Sequence, residues 1–222
     1  MSNGAATRVQ RSREKILAAA EDVFLHAGFL GANMDAIAES ASVSKQTVYA
    51  HFQSKEALFL EVIAAMTGDA ARTIGEDGEE RLDDRPVRDY LTAVAIDQLT
   101  VVMTPRLMQL RRMVIGEIER FPELGRSLYE NGPLVSIRRI SRALDHYIAT
   151  GQIRACDPDR AATQFNWMVM GAPTSAAMLL GDSAIPSGPE LEAHALEVVR
   201  IFLSAYAMPG HGGGSSDMPA ST

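Results

Sequence analysis

One cysteine, Cys156, stands among 222 residues, so no internal disulfide framework can hold this chain together. A solitary thiol suits a reducing compartment, and the expected location is the cytoplasm. Apolar stretches are broken by polar groups well short of the roughly 20 residues a membrane span needs, so no membrane partner is expected. The first residues, MSNGAATRVQRSREK, carry charge with no apolar core behind it, unlike a secretory signal. Strand-like alternation and internal repeats are missing too. So are the parts of an enzyme. No glycine-rich phosphate loop precedes a helix, no nucleophile elbow occurs, and the five histidines show no metal-ligand spacing with the cysteine. Ser141, Asp145 and His146 lie close in sequence, yet one helix cannot arrange them as a triad. No catalytic residue, cofactor or metal is therefore expected.

What is present is helical periodicity and an uneven charge. The formal net charge is -7, but it is not spread evenly. Residues 1–60 hold six bases (Arg8, Arg11, Arg13, Lys15, Lys45, Lys55) and six acids, so the whole deficit falls beyond them. The first fifteen residues carry a net +3. Screening acts over about 8 Å at physiological salt, so local rather than total charge governs what approaches a surface.

Apolar spacing predicts a helix from about Ser12 to Ala27 with Gly28 as its stop, then a short one capped by Asn33. Ser44 caps a third helix, Lys45 to about His51, and Ser54 a fourth with Leu58, Phe59, Val62, Ile63 and Met66 as its stripe. From Thr67 to Arg85 the pattern decays into glycine and acid, read as a frayed helix end and a loop. Further helices are expected from Pro86, from Pro105 to about Phe121, and over 123–150 with a break at Gly132-Pro133. Two more are expected from Asp157-Pro158 to Leu180, and from Gly188-Pro189 to about Met208. The fold class is all-α. Residues 1–62 form a three-helix domain, a shared fourth helix leads into a larger domain over 63–208, and 209–222 (PGHGGGSSDMPAST) form a disordered tail.

Two short helices joined by about three residues, within MDAIAESASVSKQTVYAHFQSK (34–55), match the geometry of a helix-turn-helix. Ile37, Ala38, Ala41, Val43, Val48 and Phe52 form its small core. Lys45, Gln46, Thr47, Tyr49, Ala50 and His51 remain outside, a donor-rich surface short enough for a major groove. There lysine can bond guanine, glutamine adenine, and threonine or alanine can meet a thymine methyl. Tyr49, His51 and Lys55 suit phosphates.

Residues 11–63 closely resemble the N-terminal domain of the TetR/AcrR family of bacterial regulators, through REKILAAAEDVFLHAGF, MDAIAESASVS and KQTVYAHFQSKEALFLEVI. The run T-V-Y-x-H-F-x-S-K-E-x-L is highly specific to it. The resemblance implies Lys45, Gln46, Thr47 and Ala50 as base-facing residues, and Asn33, Ser44, Tyr49, His51 and Lys55 as phosphate-facing ones. Asn33 stands where the family often has threonine, and Ala50 where some members carry an aromatic. LRRMVIGEIERFPELGRSLYENGP (110–133) is similar to the C-terminal domain of an AefR-like branch.

The resemblance also implies a homodimer on a palindromic double-stranded operator, and a small, largely apolar effector that releases a repressor from DNA. Candidate dimer residues are Phe165, Met168, Leu179, Leu191, Val198, Val199 and Phe202, on the last two long helices. The apolar character of those helices agrees with a partner, since a helix apolar nearly all round needs burial on several sides. Candidate pocket residues are Met66, Met103, Leu110, Met113, Glu117, Trp167 and Met170. Glu117 either anchors a polar ligand group or pairs with Arg112 or Arg138. Pro173 is expected to kink its helix, either opening the pocket or accommodating packing. A redox sensor is an alternative: Arg154 beside Cys156 is of the kind that lowers a thiol pKa.

Overall fold

A computed structural model describes residues 3–76 and 85–209. Among the described residues ten α-helices follow one another: α1 (Asn3–Gly31), α2 (Met34–Ser40), α3 (Lys45–Phe52), α4 (Lys55–Glu76), α5 (Val87–Val102), α6 (Pro105–Glu117), α7 (Pro122–Asn131), α8 (Pro133–Ala149), α9 (Pro158–Leu180) and α10 (Gly188–Tyr206). No strand occurs among the described residues beyond an isolated antiparallel bridge between Ile153 and Ala207. The chain packs as two compact units, one of residues 1–70 and 105–132, the other of 71–104 and 133–222. The expected tail lies outside the described residues from 210 onward.

The first unit is built on an apolar seam shared by six helices. Ile16, Ala20 and Phe24 of α1 are buried with Ile37 of α2, Val48 and Phe52 of α3, Phe59 and Ile63 of α4, Leu110 and Val114 of α6 and Leu124 of α7. Phe29 sits among Phe24, Phe59 and Phe121, with ring centroids 5.1–6.1 Å away. Arg106 of α6 pairs with Glu21 of α1, and the Gln109 side chain donates to the Leu25 carbonyl. Residues 105–132 thus belong to the same compact unit as the helix-turn-helix.

Two boundaries differ from expectation. α1 starts at Asn3 and passes through Gly28 at φ 72°, a left-handed backbone that glycine adopts without strain, then makes one more turn. α4 does not fray at Thr67; it continues to Glu76. Thr67 is tolerated there because its buried hydroxyl returns to the Ile63 carbonyl at 2.6 Å. The expected acidic loop falls largely outside the described residues.

In the second unit α5 packs on α9 and α10, and α8 on α9. Tyr90, Leu91 and Leu99, Ile140, Leu144 and Tyr147, Phe165 and Val169, and Val199, Phe202 and Leu203 fill its core. Asp157 caps α9, accepting from the Asp159 and Arg160 amides at 3.0 and 3.2 Å, with Pro158 in the first turn. Ser187 and Glu190 form a capping box on α10. Those hydrogen bonds from Ser187 hold the Glu190 carboxyl below its ordinary pKa.

Pro173 lies buried within α9, which runs on helically to Leu180. Having no N–H, it leaves unmade the rung that would end on the Val169 carbonyl. His194 of α10 supplies the partner: its Nε2 lies 2.8 Å from the Val169 oxygen.

Candidate nucleic-acid interface

The local chemistry of α2 and α3 sets the surface they offer. Asn33 Oδ1 accepts from the Ala36 amide at 2.8 Å, and Ser44 Oγ from the Thr47 amide at 3.1 Å, so each helix starts on a capped residue. The turn between them uses Ser42 at φ 55°. Val48 and Phe52, one turn apart, are buried against the core, at 0% and 4% exposure. Inward placement of these two forces Lys45, Gln46, Tyr49 and Ala50 outward, and all four are exposed. The strip covers about one and a half turns of α3. Thr47 is half-buried, its hydroxyl 2.8 Å from that of Ser44. His51 is half-buried beside Phe52.

Two cations have protein partners that the sequence does not announce. Lys45 pairs with Asp35 of α2, with Nζ 2.8 Å from one carboxylate oxygen and 3.0 Å from the other. The hydrogen bond to Asp35, and then its charge, raise the Lys45 pKa. Lys55 departs from the phosphate-facing role expected of it. Its ammonium donates to the Phe29 and Ala32 carbonyls at 2.7 and 3.0 Å and lies over the Phe29 ring. These carbonyls end α1, where a cation satisfies acceptors and complements the helix dipole. By contrast Arg8, Arg11 and Lys15, spaced along one face of α1, are exposed. Sequence reasoning counted them only as charge; the helix's true start at Asn3 makes them a stripe. Arg13 points elsewhere, to Glu61 at 2.8 Å and over the Phe52 ring.

The remaining candidates separate. Met66, Leu110, Met113 and Glu117 belong to the first unit, and Met103, Trp167 and Met170 to the second, so no single unit holds them all. Met66, Met103, Leu110 and Met170 are buried, and Met113 packs half-buried against the first core. Glu117 edges an open depression with Leu30, Gly116, Glu119 and Arg120, and lies 3.9 Å from Arg120. Trp167 faces outward at 44% exposure and lines an open groove of about 560 Å³ with Met168, Ile201 and Tyr206.

Most of the expected dimer stripe is corrected. Phe165, Leu191, Val198, Val199 and Phe202 are buried within their own chain, since α10 lays this face on α5 and α9. Only Met168, half-buried, and Leu179, 84% exposed, stay within reach of a partner. The large outward apolar side chains on α9 and α10 are instead Trp167, Leu179, Leu180, Leu196 and Ile201. Cys156 is half-buried, and burial pushes its thiol pKa up against the pull of Arg154, opposite to a reactive thiol.

An all-helical chain with a capped α2-turn-α3 unit and an outward polar strip on α3 belongs to the helix-turn-helix class. The family follows from comparison. Residues 16–62 match the family described as bacterial regulatory proteins, tetR family, and residues 89–208 match the AefR-like transcriptional repressor, C-terminal domain. The chain belongs to the TetR family of transcriptional regulators. A TetR-family regulator structure from Mesorhizobium loti is similar at 32% identity and a TM-score of 0.85, covering 90% of this chain and 99% of that one. The flavonoid-responsive regulator FrrA is similar at 30% identity and a TM-score of 0.75, covering 90% and 100%. The regulator UidR of Escherichia coli is 43% identical over 63 residues, 28% of this chain and 32% of its own. The match thus spans about a third of that curated relative's length.

Proposed function

We propose that this protein is a sequence-specific repressor that binds a palindromic operator as a homodimer and releases it on binding a small, largely apolar effector. The observation that carries the DNA reading is the α3 strip. Lys45, Gln46, Tyr49 and Ala50 stand outward together on α3, with Lys45 held by Asp35 of α2. The two-fold symmetry of such sites requires two recognition helices, hence a dimer. Lys45, Gln46, Thr47 and Ala50 would face bases; Asn33, Ser44, Tyr49 and His51 would approach phosphates, joined by the α1 stripe. The repressor and effector readings are supported by the description of the matched C-terminal family and by the ligand response named for FrrA.

The proposed coupling runs through α4, an unbroken helix whose residues belong to both units. Effector binding would bias the separation of the two recognition helices, with a coupling typically of about 1–3 kcal/mol. The test is selection from random-sequence DNA, followed by a promoter reporter carrying the selected site. An enriched palindrome that lowers reporter output when the protein is present supports the reading. No enrichment at low salt would refute it.

A further inference from the structure

Inside the second unit two amides meet in the core. Gln98 of α5 is 3% exposed and Asn166 of α9 is 1% exposed. Gln98 Nε2 donates to Asn166 Oδ1 at 2.6 Å. Two buried atoms are left over: Gln98 Oε1 and Asn166 Nδ2 have no hydrogen-bond partner. Buried polar atoms are nearly always paired, and leaving them unpaired opposes folding. Turning both amides about reverses the bond but not its outcome. One donor and one acceptor remain free in either assignment, so this complementarity does not hinge on which atom is called nitrogen.

We propose that Gln98 and Asn166 are the polar anchor of an effector site, taking the hydroxyl of an otherwise apolar molecule. This rests on the effector-responsive reading above and names the chemistry of that site. A hydroxyl oxygen donates one proton and accepts another, so one ligand atom satisfies both free groups. A carboxylate brings no donor, an ammonium no acceptor, and neither charge has a counterion in this pair. The pair's neighbours along α5 and α9 are small or pliable. Ala95 and Ala162 lie close along their helices to the two amides, and Met170 follows Asn166 by one turn. Methionine repacks readily around guests. Just beyond it, α9 lacks the backbone rung at Pro173, the carbonyl being held by His194 instead.

The test uses phenol, with toluene and anisole as its controls, on the full-length protein labelled with 15N. Phenol should shift the side-chain NH2 resonances of Gln98 and Asn166. Toluene should leave them in place, and anisole, which accepts but cannot donate, should need at least tenfold more. The Q98L/N166L variant should fold with a Tm at or above that of the unsubstituted protein, because both polar partners are removed together. It should select the same DNA sequence and bind phenol and toluene alike. Equal response to phenol and toluene, no response to phenol, or a Tm lowered by the double substitution would each overturn the anchor. Failure to enrich any DNA sequence would overturn the regulator reading instead, and the two failures are read from separate measurements.

Discussion

A lysine at the start of one helix can close the end of another. Lys55 opens α4, yet its ammonium meets the Phe29 and Ala32 carbonyls at the end of α1. Hydrogen bonds involving a charged group contribute about 1.5–3 kcal/mol, so Lys55→Met, which keeps the stem, should lose about that much stability in urea unfolding. If Lys55 instead served a phosphate, stability would hold and the salt slope of DNA binding would fall by about 1. Lys45 poses the reverse case. Asp35 holds it, and under the proposed readout a DNA base would have to take it from that carboxylate. Asp35→Asn removes that competitor and one repelling charge, so affinity for the selected operator should rise several-fold, most at low salt. Unchanged affinity in a salt-series binding assay would show that Lys45 does not reach DNA. The strip itself was legible from sequence because Val48 and Phe52 fix the inward face by spacing alone. The fate of Lys55 was not, since its acceptors lie more than twenty residues away in the chain.

Helices settle their defects through neighbours. α9 carries proline at 173, and α10 brings His194 to the carbonyl that proline orphans. His194→Ala leaves that acceptor unpaired and should cost about 1–2 kcal/mol. Pro173→Ala restores the N–H, making His194 dispensable. A double-mutant cycle in denaturant should therefore show a coupling of at least about 0.5 kcal/mol, while additive effects would mean that His194 does not act through this carbonyl. Sequence placed the proline and expected a kink; it could not show that a side chain from the next helix replaces the missing rung. The ten helices were otherwise readable from caps and apolar spacing, as Asp157-Pro158 and Ser187 illustrate. The dimer stripe was misread for a general reason. Val198, Val199 and Phe202 recur at helical spacing whether the face they mark is covered by another helix of the same chain or by a second copy. Gln98 was invisible for the opposite reason: one glutamine in an apolar helix reads as a solvent position, and only tertiary packing shows it buried.

Charge and apolar exposure divide the molecule's work. Its net charge of -7 opposes DNA, but Arg8, Arg11 and Lys15 give α1 a basic face in the unit that holds α3. Replacing all three by glutamine should lower the salt slope by about 2–3 without altering the selected sequence, because phosphate contacts set affinity and not base choice. The second unit turns Trp167, Leu196 and Ile201 outward at 44%, 50% and 42% exposure. Trp167 and Ile201 line one groove, and apolar side chains gathered in this way suit an interaction surface. If that face joins two copies, Ile201→Asp places a charge in a desolvated contact and should yield a monomer by light scattering. Ile201 is exposed on the single chain, so the variant should still fold with the same helical content, lacking only the stabilisation that association adds. The monomer must then engage each half-site alone, and affinity for the full palindrome should fall at least tenfold while affinity for an isolated half-site stays the same. A dimer that survives Ile201→Asp would move the two-fold axis to another face, and with it the geometry by which α3 meets successive turns of the groove.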